Sequence, residues 1–309
     1  MGAADGGLIR LQAPHVQLDA TELLVMGHGS AGRIQQRTGS TGSWSFNAIH
    51  TGPSEQTVPI PQASDLSPEI TPSLSVASEN PSGKGGSIRI NAGRILQSGS
   101  LSADGVSGGS VRLTATDWLE SSANISARGG FGSGGLIEIT SSNRANLSPD
   151  SQLDVQGSAS GGSLVISAGG ELELSGSITA SGTAASSEGG TVQITADSLR
   201  LLGAQIEADG GEAGGQILIG SDLFGSALPS DARRAKNVAV DAESRLSADA
   251  RWAGDGGKVI VYATDTMQMA GHLSARAGVQ SGDGGVIEIS SAGSLRIDGS
   301  ASTQSPQGS

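Results

Sequence analysis

Residues 254–290 read GDGGKVIVYATDTMQMAGHLSARAGVQSGDGGVIEIS. The phrase GDGG, each time followed by alternating aliphatic residues, starts at Gly254 and again at Gly282. Three readings compete for such a phrase: a phosphate cradle, a calcium loop, or a turn in a repeat. A phosphate cradle needs a helix opening after the glycines, with Lys and Ser or Thr on it. Here the alternation of Val259 and Val261 describes a strand instead. Calcium-binding nonapeptides need GGxGxDxxx in tandem, which two phrases as far apart as Gly254 and Gly282 do not supply.

The repeat reading extends along the chain. Gly-Gly, or a close variant, precedes an aliphatic pair at Gly6, Gly85, Gly108, Gly134, Gly161, Gly189, Gly214, Gly256 and Gly284. From Gly85 onward the interval is nearly constant, apart from one long unit between Gly214 and Gly256. With the second glycine as position zero, position two is always aliphatic, from Ile9 and Ile88 through Val259 to Ile287. Position four repeats this, from Leu11 and Ile90 to Ile289. Position six is always small, as at Ala13, Ala92, Ala115, Ser141, Ser221 and Ala263. Side chains alternate along a strand, so these three positions share the inward face. Position three is polar in six of nine copies, including Arg89, Arg112, Glu138 and Glu288, and faces outward.

A second strand follows, reading LEL at 172–174, LRL at 199–201, MQM at 267–269 and LRI at 295–297. A third carries an aliphatic residue with Ala two places on, as in Leu101/Ala103, Ile125/Ala127, Ile206/Ala208 and Leu273/Ala275. No helical period interrupts the pattern. Strands this short bury nothing alone and must stack on their counterparts in the next unit, which gives a parallel β-helix. Each coil buries about six aliphatic side chains at roughly 1.5–3 kcal/mol each, and backbone ordering opposes most of that gain. The small residue at position six is expected at a corner, where a larger side chain would strike the opposite wall. About ten coils at the ~4.8 Å strand spacing predict a rod on the order of 50 Å long.

Composition agrees with a thin, elongated core. The 309 residues include 49 Gly and only seven aromatics, three Trp, one Tyr and three Phe. A net charge of −12 argues against a nucleic-acid partner, which calls for a basic face. No apolar stretch approaches the roughly 18 consecutive residues of a membrane-spanning helix. The opening MGAADGGLIRLQ lacks the basic and apolar regions of a signal peptide. With no Cys, disulfides and thiolate metal sites are excluded.

Two segments break the period. Residues 51–84 hold six of the ten prolines, and proline removes ladder donors, so an extruded loop is expected there. Residues 1–50 read as degenerate N-terminal coils. Within them AGRIQQ at 31–36 copies the coil opening, with Gln36 where an aliphatic belongs, and Trp44 and Phe46 are placed to close that coil. Residues 85–300 read as regular coils, and 301–309 as a flexible tail. The second break is an insertion at 221–237 inside the long unit. It carries Phe224, Leu228, Arg233, Arg234 and Lys236, a basic cluster on an acidic chain. Insertions at a solenoid corner often carry binding, so Phe224, Arg233, Arg234 and Lys236 form the candidate partner-binding loop. The bland alternative is an arginine-anchored loop folded back onto the rod.

The span 214–290 resembles the filamentous haemagglutinin-like large exoproteins of Gram-negative bacteria, the secreted partners of two-partner secretion systems. The resemblance rests on GGQILIG at 214–220, DARRAKNVAV at 231–240, SADA at 247–250, GDGGKVIV at 254–261, AGHLSARAG at 270–278 and GDGGVIEIS at 282–290. Residues 84–213 match only as generic repeats, and 1–83 weakly. The resemblance implies a right-handed parallel β-helix, exported and displayed or released at the cell surface, with an adhesive or matrix role. It implies an outer-membrane two-partner transporter for the full-length protein, and a glycan or protein on a host or neighbouring cell as partner. The family's signal peptide and secretion domain are not visible, which suggests a segment of a longer chain. Tyr262 stands where the family more often has Trp.

The enzymatic alternative is a β-helix acting on acidic polysaccharide, which needs carboxylates converging on one outer face. Glu138 and Glu288 lie far apart in the repeat, and Glu171, Glu173 and Glu207 do not form a dense cluster. Gly27-His28-Gly29 resembles a polygalacturonase motif whose Asp-rich partners are missing, so a solvated turn histidine is expected. Trp44, Trp118, Trp252 and Tyr262 do not share one repeat position, as a sugar platform would require. No catalytic residue, metal or cofactor is assigned. A third reading is a filament module that self-associates end to end through exposed terminal coils.

Overall fold

A computed structural model describes residues 83–221 and 234–306, together with the backbone of five upstream strands, Leu8–Gln17, Leu23–Leu24, Arg33–Gln35, Ile49–His50 and Leu74–Ser75. All of its regular structure is β, and the strand pairings are parallel throughout. Position two stacks on position two and position four on position four, as in Ile137↔Leu164 and Ile139↔Ile166. The same register crosses the longest break in the repeat, because Ile9 pairs with Ile88 and Ala13 with Ala92.

The residues read as inward are the core. Ile88, Ile90, Val111, Leu113, Ile137, Ile139, Val192 and Ile194 are fully buried. The second strands add Leu172, Leu174, Leu199 and Leu201, and the third add Ile125, Ile178 and Ile206. Position six is buried at the first corner, from Ala92 and Ala115 to Ala263.

Residues 83–306 make about eight turns of the solenoid, about 40 Å at ladder spacing, and the upstream strands extend the same ladders. Three series of strands form two sheets, of sixteen and eleven strands. The first and second series merge because Ser87–Gln97 and Ser110–Ser121 run through the first corner without a break. A register shift beyond Ala92, opposite Ala115, takes up the bend.

Coils do not stack in chain order at the N-terminal side. Arg33–Gln35 pairs with the edge of Leu8–Gln17 opposite Ser87–Gln97. The proline-rich stretch is not wholly extruded: Leu74–Ser75 lies in the ladder between Leu23–Leu24 and Leu101–Ser102. Its Leu-Ser pair repeats the third-strand pattern of Leu101-Ser102. Likewise Ser300–Ser302 extends the ladder into the stretch read as a tail, and the N–H of Ala277 donates to the Gln304 carbonyl at 3.0 Å. The Trp44, Phe46 and His28 readings lie outside the described residues.

The GDGG phrase divides into two physical jobs. Only its first glycine takes a positive φ, +80° at Gly254 and +119° at Gly282, where L-residues are strained. The doublet that follows is held for space. A Cβ on Gly134 would lie 1.8 Å from the Val155 carbonyl oxygen, and one on Gly135 would lie 2.1 Å from the Gly109 carbonyl oxygen. Doublets sit directly on doublets of the neighbouring coils. Within a coil the second glycine closes the corner: the Gly135 N–H donates to the Ala127 carbonyl at 2.7 Å, and Gly257 does the same to Ala248 at 2.7 Å.

Polar staples lock successive third strands. Asp249 accepts from the Ser274 hydroxyl at 2.6 Å and the Arg276 N–H at 2.6 Å, and pairs with the Arg276 guanidinium at 2.7 Å. Asp209 does the same to Ser247 and to the Asp249 N–H, at 2.6 and 2.8 Å. Asp104 repeats it on Ser126 and the Arg128 N–H at 3.1 and 2.6 Å. At the second corner Asp241 accepts from the Gly203 N–H on both oxygens, and from the N–H and hydroxyl of Ser244. Burial pushes its pKa up, but these hydrogen bonds together outweigh burial and hold the carboxyl below the ordinary 3.8.

The corners can be tested directly. Gly135→Ala should destabilise the rod by about 1–3 kcal/mol or more, because its obstacles are backbone atoms. Gly130→Ala, whose added Cβ has nothing closer than 3.5 Å, should stay within about 0.5 kcal/mol of wild type. Denaturant melts compare the two variants, and equal losses would refute the close-approach account. Asp241→Asn should cost about 1–2 kcal/mol at neutral pH. A lowered native pKa stabilises above the ordinary carboxylate value and loses that contribution as pH falls through the lowered one. The gap between wild type and variant should therefore shrink in melts taken at successively lower pH below the ordinary 3.8.

Candidate functional site

The long unit leaves the ladder at Gly220 and rejoins it at Ala235. Gly220 has φ +81°, and its N–H donates to the Ile194 carbonyl at 2.8 Å. A Cβ there would lie 2.1 Å from the carbonyl oxygen of Tyr262 on the next coil. The Ala235 N–H donates to the Gly220 carbonyl at 3.0 Å, which closes the neck of the insertion. Ala235 is fully buried and takes the small corner place beside Ala196.

Lys236 is an anchor. Its N–H and that of Asn237 both donate to the Asp197 carbonyl, at 2.9 and 3.1 Å. Its ammonium pairs with the Asp197 carboxylate at 2.9 Å. Arg234, just ahead of Ala235, is exposed. Of the four residues assigned to the loop, Arg234 and Lys236 are therefore brought to the neck, while Phe224 and Arg233 lie outside the described residues. Sequence reading missed Ala235, although a lone alanine between two basic residues, before an aliphatic alternation, repeats the position-six signal.

Beside this neck the outward face changes character. Position three is partly exposed at Arg89, Arg112, Glu138 and Gln193, but Leu218 and Ile260 at the same position are buried, 7% and 0% exposed. The outward rule derived from the repeat fails for these two apolar residues.

The outward carboxylates are tied coil to coil. Glu138 pairs with Arg112 at 2.7 Å and Glu173 with Arg200 at 3.1 Å. Asp154 pairs with Arg128 at 2.6 Å. Glu171 and Glu173 lie in the sixteen-stranded sheet and Glu207 in the eleven-stranded one, so the three do not share a face. Glu288 accepts from the Ser290 hydroxyl at 2.7 Å. Among the described residues no cluster of three His, Asp or Glu side chains is placed to hold a metal ion.

Two exposed aromatics do share a repeat position. Phe131 and Trp252 each stand four places after the alanine of the third-strand motif, Ala127 and Ala248, and they are 80% and 52% exposed. Val279 stands in the same place after Ala275. Among the aromatics the recurrence involves Phe131 and Trp252 only, and Trp44, Trp118 and Tyr262 stand at other repeat positions.

No protein-family model matches the chain, and no curated protein does. Among solved structures, the fold is similar to that of the HMW1 secretion domain from Haemophilus influenzae, with a TM-score of 0.61 and 22% identity over 77% of this chain. The chain covers 66% of that structure, just under two thirds of its length. The likeness is one of fold: this chain is a parallel β-solenoid of the kind found in that secretion domain.

Proposed function

We propose that this chain is a non-enzymatic segment of an exported exoprotein of the two-partner type, adhesin-like or part of a surface matrix. It would pass through an outer-membrane transporter of a Gram-negative bacterium and be displayed or released at the cell surface. The observation that carries the reading is a solenoid of the secretion-domain kind whose outward carboxylates are engaged by arginines of adjoining coils. Glu138, Glu173 and Asp154 each have an arginine as partner, whereas polysaccharide cleavage needs two carboxyls set across the bond.

Export is tested by expressing the chain behind a Sec signal sequence in a Gram-negative host, with and without the transporter encoded nearest its gene. Protease-accessible protein outside the cell should appear only when the transporter is present; retention in the periplasm in both cases would overturn the export reading. Turnover of any uronic-acid or neutral polysaccharide, lost in Glu138→Gln or Glu173→Gln, would overturn the non-enzymatic reading.

The insertion is the proposed contact with a partner on another cell. Arg234 and Lys236 are both exposed at its neck, and Lys236 also ties the loop to the rod through Asp197. R233E/R234E should lower binding of the purified chain to cultured epithelial cells severalfold and leave its melting temperature unchanged. Undiminished binding would remove the loop as the recognition element.

A further inference from the structure

A groove of about 350 Å³ opens on the outward face where the first and second strand series merge, lined by Trp118, Leu119, Glu120, Asn143, Arg144 and Asn146. It is built by two adjoining coils in register, with Arg144 beside Trp118 and Asn146 beside Glu120. The corner before Trp118 matches that of the adjoining coil, since Ser141↔Ala115 is followed by Arg144↔Trp118, whereas the corner of Ser87–Gln97 is one residue shorter and places Arg94 beside Trp118.

The indole is fixed from one side. The Arg94 guanidinium lies over it, 5.9 Å from the ring centroid, and is itself held by Asp117 at 3.0 Å. The Asn143 amide donates to the other Asp117 oxygen at 3.5 Å. On the groove side stand a cation, a carboxylate and an amide. Arg144 is exposed and makes no ion pair among the described residues. Glu120 and Asn146 are half-buried on the same outward face.

From this arrangement we infer that the groove binds a neutral hexopyranose unit of a glycan. An apolar aromatic face takes the ring, and a few convergent polar groups fix its orientation. The charges decide the class. Arg94 is neutralised by Asp117, and Arg144 is balanced by Glu120, so the groove offers donors and acceptors without net charge. On a chain of net charge −12 an anionic sugar gains nothing here and meets long-range repulsion. The planar side chains of Glu120 and Asn146 each present two polar atoms, the geometry that meets vicinal hydroxyls. The biological sense of the site rests on the export reading, but its test does not, because binding is measured on the purified chain.

The experiment is titration of the full chain with cellopentaose, laminaripentaose, maltopentaose and trigalacturonate, followed by calorimetry and saturation-transfer NMR. At least one neutral pentasaccharide should bind with a Kd of about 1 mM or tighter. Trp118→Ala should weaken it at least ~10-fold and Asn146→Ala several-fold, while Trp118→Phe retains most of the affinity. Should Trp118→Ala fail to fold, Asn146→Ala and Trp118→Phe carry the test. Absence of binding by all three neutral probes at about 10 mM, a preference for trigalacturonate, or affinity indifferent to the Trp118 and Asn146 variants would each overturn the assignment.

Discussion

Coils can stack at ladder spacing only if the corner between them has no side chain. The glycine doublets meet that condition. At each corner, carbonyl and amide atoms of the adjoining coils occupy the space where a Cβ would stand. Every other regularity depends on this one. Because the doublets register with one another, positions two, four and six register too, and the inward aliphatic columns form without any local folding unit. The need is for close approach rather than for unusual dihedrals, which the GDGG phrase supplies separately at Gly254 and Gly282.

Apolar burial and polar stapling divide the remaining work by magnitude. A buried aliphatic side chain contributes roughly 1.5–3 kcal/mol, whereas an exposed ion pair is worth about 0–1 kcal/mol. Pairs such as Arg112–Glu138, both about two-fifths exposed, therefore add little stability. The Asp209, Asp249 and Asp104 staples differ in that each carboxylate also accepts a backbone N–H of the next coil. A bond from side chain to neighbouring backbone is lost if the register slips, so these staples select one stacking among several of similar burial.

Inward structure was legible in the sequence because a strand alternates, and alternation repeated at one period leaves a clear trace. Ile9 aligned with Ile88 across the whole proline-rich break on that trace alone. Three kinds of feature left weaker traces. The merging of two strand series depends on how a corner bends, which Ala92 and Ala115 do not encode by themselves. Short strands such as Leu74–Ser75 carry too few residues to show a period. The Ser-Ala-Asp staples were present as letters, in LSAD at 246–249 and LSAR at 273–276, but their pairing joins coils and appears only when the letters are read across the stack. For the candidate sites the loss was greater: Arg234 and Lys236 stand out by charge, yet nothing in charge shows that Lys236 is the one tied to Asp197.

A solenoid of this kind separates fold from function by face. Inward positions are fixed by packing, while outward ones are free to vary so long as they are tolerated on a ladder. Function must therefore be sought where the outward face departs from the repeat. Two such departures stand in the described residues. At Leu218 and Ile260 apolar side chains occupy a polar position and are buried beside the insertion's neck. At Trp118 an aromatic ring stands on the outward face and lines a groove between polar neighbours. Each breaks the outward rule at a place where inward packing is undisturbed, since Ile217, Val259 and Leu119 keep their core positions. A departure confined to the outer face costs the fold nothing that the core would register, which is the condition under which a repeat can acquire a binding surface and still stack.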